Sequence, residues 1–209
     1  MFDYIRDPAE IYKKSFATVR AEADLSGFSD AEAALAVRLI HACGMPDIAN
    51  DLVFGTDPVQ VGRDALKSGA TILVDVEMVR HGIIRARLAA ANKIICTLHD
   101  DGVRAKALAK STTRSAAAVD LWGDALAGSV VAIGNAPTAL YRVLELIEGG
   151  AAPPAMIAAF PVGFVGAAES KDALIGYAEA LGVAFITLTG RRGGSALAAA
   201  CVNALAVEP

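Results

Sequence analysis

From residue 129 onward the chain repeats one pattern three times: an apolar strand, a turn containing glycine, then a helix. The copies are 129–146 (SVVAIGNAPTALYRVLEL), 155–181 (AMIAAFPVGFVGAAESKDALIGYAEAL) and 183–205 (VAFITLTGRRGGSALAAACVNAL). Such units build parallel sheets, because a helical crossover returns the chain to the edge where the previous strand began. Two more apolar runs, 71–75 and 93–98, read as strands upstream. Five strands alternating with helices predict an α/β fold: a mainly parallel, doubly wound, flavodoxin-like sheet with helices on both faces. Strands covered on both faces need continuous apolar runs, and a chain that is 55% hydrophobic and only 20% charged supplies them.

Before the first strand the pattern is helical. Asp7-Pro8-Ala9-Glu10 reads as a capped helix start with Glu10 closing a capping box, and that helix should run to about residue 23. Ser29-Asp30-Ala31-Glu32 is a second capping box, and its helix should stop near Gly44. A third helix opens at Asp57-Pro58 and ends at Gly69. Later helices are expected over 103–110 and 115–126. Residues 1–209 are read as a single domain with an N-terminal helical layer, since 209 residues suffice for one core. A net charge of −4 excludes a nucleic-acid footprint. No run is apolar for long enough to cross a bilayer, and the first residues carry no apolar leader, so a cytoplasmic protein is expected. Cys43, Cys96 and Cys201 are scattered and odd in number, which points to reduced, buried thiols and no cysteine metal site.

Ligands of doubly wound sheets bind at the carboxyl ends of the strands, so the three turns are expected to face one cleft. In Gly134-Asn135-Ala136-Pro137, the proline opens a helix whose free amides suit an anion. The second turn, 161–171, is long, and Gly163 and Gly166 permit close backbone approach to a ligand. Lys171, Arg191, Arg192 and Arg114 are cations placed near helix starts, where positive charge opposes the helix dipole. On an acidic chain they suggest a polyanionic small ligand. No Walker or dinucleotide-binding glycine pattern occurs, which weakens a nucleotide-dependent oxidoreductase reading. Of only three histidines, His41 lies three residues from Arg38 on one helix, so the two share a face. The histidine spacing fits no metal site.

The segments SFATVRAEADLSGFS, AVRLIHACG, TRSAAA, GSVVAIGNAPTAL, PVGFVGAAESKDAL and TGRRGGSALAAA closely resemble the precorrin-8X methylmutases of cobalamin biosynthesis, from Tyr4 to Leu205. The resemblance implies an isomerase that moves a methyl group from C-11 to C-12 of a tetrapyrrole, converting precorrin-8X to hydrogenobyrinate without a cofactor. It implies that His41 is the acid or hydrogen-bond donor, and that Ser15, Arg38 and Arg114 contact the substrate. It further implies a homodimer with the site near the subunit interface. Lys171, Arg191, Gly163 and Gly166 are added as substrate contacts from charge and turn chemistry, because the substrate bears several carboxylates. A non-catalytic corrinoid carrier, or the cobalt-dependent sister activity, would use the same pocket.

Overall fold

The structure, a computed structural model, describes residues 2–207 apart from the side chain of Glu179. Two helices come first, α1 (Pro8–Glu22) and α2 (Asp30–Cys43). Asp7 caps α1 through the amides of Ala9 and Glu10. The Ser29/Glu32 capping box opens α2, and Gly44 ends it in the left-handed region. A 3-10 turn (Pro46–Asp51) leads into β1 (Leu52–Gly55), α3 (Pro58–Lys67), β2 (Ile72–Val74) and α4 (Glu77–Gly82). Then follow a 3-10 turn at Arg85–Arg87, β3 (Ile94–Ile95), α5 (Val103–Ala109) and α6 (Arg114–Val119). A 3-10 turn at Gly123–Leu126 replaces the second half of the helix expected over 115–126. The three repeats give β4 (Val130–Ile133), α7 (Pro137–Glu148), β5 (Met156–Ala159), α8 (Ala167–Leu181), β6 (Ala184–Leu188) and α9 (Ser195–Leu205).

The sheet has the spatial order β1-β6-β5-β4-β2-β3. The five expected strands are all parallel, and their order is that of a flavodoxin-like doubly wound sheet. The sixth, β1, was not expected. It pairs antiparallel with β6, Leu52 opposite Leu188 and Phe54 opposite Ile186. Gly55 makes that pairing feasible, since a Cβ there would stand 2.1 Å from the Phe185 ring.

Alternate strand residues feed two cores. Ile72, Val74, Val130, Ala132, Met156, Ala158 and Ile186 point to one face, against α2, α3, α4 and α9. Leu73, Val131, Ile133, Ile157, Ala159 and Phe185 point to the other, against α7 and α8. On the first face α2 packs across α9, and α1 packs on α2. That stacking is the helical layer, and it carries His41. Of the thiols, only Cys201 is fully buried; Cys43 and Cys96 are half-buried.

Candidate active site

His41 sits in the last turn of α2, on the side that α1 covers. Ser15 of α1 brings its hydroxyl 2.8 Å from His41 Nδ1. Tyr12 and Phe16, on the same face of α1, flank the imidazole with ring centroids at 5.3 and 5.4 Å. Arg38, one turn back on α2, lays its guanidinium over the Phe16 ring at 5.4 Å. Position and tilt of the imidazole are thus fixed by one hydrogen bond and two rings. Among the described residues Nε2 has no hydrogen-bond partner. If the Ser15 hydroxyl donates to Nδ1, Nε2 carries the proton and can donate it outward. A cleft of about 400 Å³ opens beside the pair, lined by Ile5, Ile11, Ser15, Val19, Ile40 and His41 among others. Apolar walls that also carry Lys14, Thr18 and Glu22 suit a large ligand with an apolar body and polar arms.

The strand-end turns do converge, as the sequence predicts, but they bind one another. Val162 N–H donates to the Asn135 carbonyl at 3.4 Å, Gly163 N–H to the Arg191 carbonyl at 3.3 Å, and Gly194 N–H to the Phe160 carbonyl at 2.8 Å. The turns are therefore tied to one another through their own amides. Asp75, just past β2, accepts from Gly134 N–H (2.9 Å), Asn135 N–H (2.9 Å) and Ala136 N–H (2.8 Å). Between β2 and β4 the strand order reverses, which is where doubly wound sheets take ligands. Here the protein's own carboxylate fills that place. Burial pushes the Asp75 carboxyl up, against the three amides that favour its charge.

Lys171 and Arg192 also depart from expectation. Lys171 lies inside α8, not at its start, and is wholly buried. Its ammonium donates to the Arg192 carbonyl at 2.6 Å. Burial pushes its pKa down to about 8. Arg192 is paired with Asp47 at 2.5 Å and with Asp51. Both cations therefore brace the turn that opens α9. Arg191 and Arg114 stay exposed, Arg191 with its guanidinium 5.5 Å from the Phe164 ring centroid. Gly163 and Gly166 hold φ of +146° and +78°, and a Cβ at Gly163 would meet nothing within 4 Å. The backbone there is open to a visitor.

His41, Ser15 and Arg38 are thus brought together on the helical layer. Arg114, Arg191, Gly163 and Gly166 form a rim at the strand ends. Among the described residues no hydrogen bond or ring contact joins the two groups. Sequence reasoning missed Tyr12 and Phe16, although their spacing of four puts them on the Ser15 side of α1. It also missed Asp75, whose partners lie far along the chain.

Comparison with known proteins follows the same outline. A family model described as CbiC, precorrin-8X methylmutase, matches residues 10–208. A precorrin-8X methylmutase from a Sinorhizobium species is 58% identical over 98% of this chain and 97% of its own. The Pseudomonas aeruginosa protein of that name is 55% identical over 100% and 99%. A cobalt-precorrin-8 methylmutase from Priestia megaterium is more distant, 35% identical over 96% and 88%. The crystal structure of a Thermus thermophilus precorrin-8X methylmutase superimposes with a TM-score of 0.84 at 36% identity, covering 94% of this chain and 95% of that one. Sequence and fold agree from end to end, and the chain belongs to the precorrin-8X methylmutase family.

Proposed function

We propose that this protein is the isomerase of cobalamin biosynthesis that converts precorrin-8X to hydrogenobyrinate by moving the C-11 methyl group to C-12. The carrying observation is the Ser15–His41 pair, locked between two rings and opening onto an apolar cleft. The reaction is internal to the substrate. One carbon–methyl bond breaks at C-11, one forms at C-12, and no atom or electron enters or leaves. The chemistry therefore calls for no cofactor. What it needs is polarisation of the conjugated ring, and an imidazole that accepts from Ser15 at Nδ1 presents a donor at Nε2. Ser15 positions His41, and Arg38 meets a substrate carboxylate. At the rim, Arg114 and Arg191, with Gly163, where a side chain would meet open space, and Gly166, are the remaining substrate contacts. Lys171 acts there only through the turn it braces.

Residues 1–209 act as one domain, in the cytoplasm and as a homodimer with the site near the interface. In that arrangement rim residues of one copy serve the His41 cleft of the other. Support comes from the bare apolar side chains of the β5–α8 loop, Phe164 at 86% and Val165 at 89% exposure. The cobalt-free substrate is favoured because the relatives at 55–58% identity carry the precorrin-8X name, against 35% for the cobalt-precorrin-8 relative.

Migration of the methyl group changes the conjugation, so the absorption spectrum during incubation with precorrin-8X records the reaction. Steady conversion to the hydrogenobyrinate spectrum is expected. His41→Ala should retain binding and lose about a hundredfold or more in kcat. An immediate spectral shift that then stays fixed, with the cobalt form equally inert, would make the protein a carrier. Unchanged turnover in His41→Ala would remove His41 from the chemistry.

A further inference from the structure

Arg38 shares one hollow with His41 and Arg87 and a second with Arg63, and among the described residues no acid lines either. Arg38 of α2 lies between Arg87, at the end of the 3-10 turn after α4, and Arg63 of α3. Partial burial, with repulsion from Arg87 and Arg63 added to it, holds its guanidinium below the usual range. Two small hollows of about 140 Å³ each meet at Arg38, Phe16 and Ala204. The first is lined by His41, Arg38 and Arg87, the second by Arg38, Arg63 and Arg20. Among the described residues neither wall contains an aspartate or a glutamate.

Several other cations of this acidic protein do meet carboxylates. Arg80 meets Glu77, Lys110 and Arg142 meet Asp120, and Arg192 meets Asp47 and Asp51. In the groove, Arg63 Nε is buried with no hydrogen-bond partner. The segment carrying Arg87 is anchored from α9. Asn203 accepts from Ile84 N–H at 2.8 Å and donates to the Gly82 carbonyl at 2.9 Å. An uncompensated cluster of guanidiniums costs stability, and a buried donor without an acceptor costs more. A protein holds such groups together where a ligand brings the missing negative charge.

We propose that Arg63 and Arg87, with Arg38 between them, form a clamp for one carboxylate side arm of the tetrapyrrole, fixing the macrocycle relative to His41. The inference rests on the function proposed above and adds Arg63 and Arg87 to it as substrate-positioning residues. A planar guanidinium on each side of Arg38 gives the forked donors that a carboxylate accepts in pairs. The clamp distinguishes a free acid from its neutral ester, since only the acid discharges the cluster.

The test is a spectroscopic titration of the whole protein with hydrogenobyrinate and with its fully esterified form, together with thermal unfolding of the ligand-free variants. Arg63→Gln and Arg87→Gln should each weaken binding of the acid about tenfold, as expected for one charge-assisted hydrogen bond. KM should rise with kcat held within about twofold. Arg63→Lys and Arg87→Lys should recover part of the loss. Because the cluster repels itself, the ligand-free glutamine variants should melt at the same or a higher temperature than the wild type. An arginine that served only the fold would lower it. Unchanged affinity in both glutamine variants, or equal binding of acid and ester by the wild type, overturns the clamp and leaves the isomerase reading standing. If the wild type binds neither form, the reading and the clamp fall together.

Discussion

Lys171 shows how a single side chain can be conspicuous in sequence and still be misplaced. Its charge near a helix start was legible; its partner, the carbonyl of Arg192 twenty-one positions on, was not. Among the described residues no carboxylate lies within ion-pair distance of its ammonium. The folded protein therefore holds that proton less tightly than the unfolded chain, about 8 against the ordinary 10.5. A depressed lysine pKa means that stability rises as pH climbs from 8 to 10.5 and is lowest below 8. Lys171→Met removes the dependence. Denaturant unfolding of both proteins at pH 7 and pH 10.5 should show the difference in stability changing by about 3 kcal/mol in favour of the wild type at the higher pH. Parallel behaviour would mean that Lys171 titrates alike in both states. Arg38 and His41 were easier to pair, since three residues of helix place them on one face. Ser15 became visible only through the family resemblance, because nothing in local spacing carries a contact between two helices.

Among the elements, the turn between β4 and α7 depends on a residue outside it. Asp75 satisfies three of its amides, and Gly134 lets the chain pass where a Cβ would stand 2.7 Å from Ser195 Cα. Asp75→Ala should cost about 3 kcal/mol, because it leaves those buried or half-buried donors without acceptors. Hydrogen exchange at Gly134, Asn135 and Ala136 should accelerate in the variant while β5 stays protected. Exchange unchanged at those amides would mean the turn holds itself. The repeat pattern made β2 to β6 and α7 to α9 legible, because their apolar runs and periods are strong. β1 was not: four residues ending in glycine between two turn signals look like a connection, and only the far edge strand β6 makes them a strand. The helix expected over 115–126 ends at Val119, where i to i+3 turns at Leu121 and Trp122 take over, and the φ of +50° at Gly123 keeps it from resuming.

For the whole molecule, the doubly wound topology was readable from the order of apolar runs, whereas the location of the chemistry was not. Fold-level reasoning pointed to the strand ends, whereas the histidine proposed for the chemistry stands on the helical layer. The homodimer proposed above would reconcile the two. Sedimentation equilibrium should report twice the 21.5 kDa chain mass, and Phe164→Glu should shift the protein toward monomer with loss of turnover. A fully active monomer would place every contact within one copy. The two outer strands of the sheet are short, four residues in β1 and two in β3. Unpaired strand edges recruit other chains, and length is what makes them dangerous. β1 runs out at Gly55 into Thr56 and Asp57, both in the left-handed region, so the edge is broken by a sharp reversal. A chain this apolar would otherwise be a candidate for cross-β stacking during synthesis at high expression. Its blunt margins leave association to side-chain faces, where charge and shape can choose the partner.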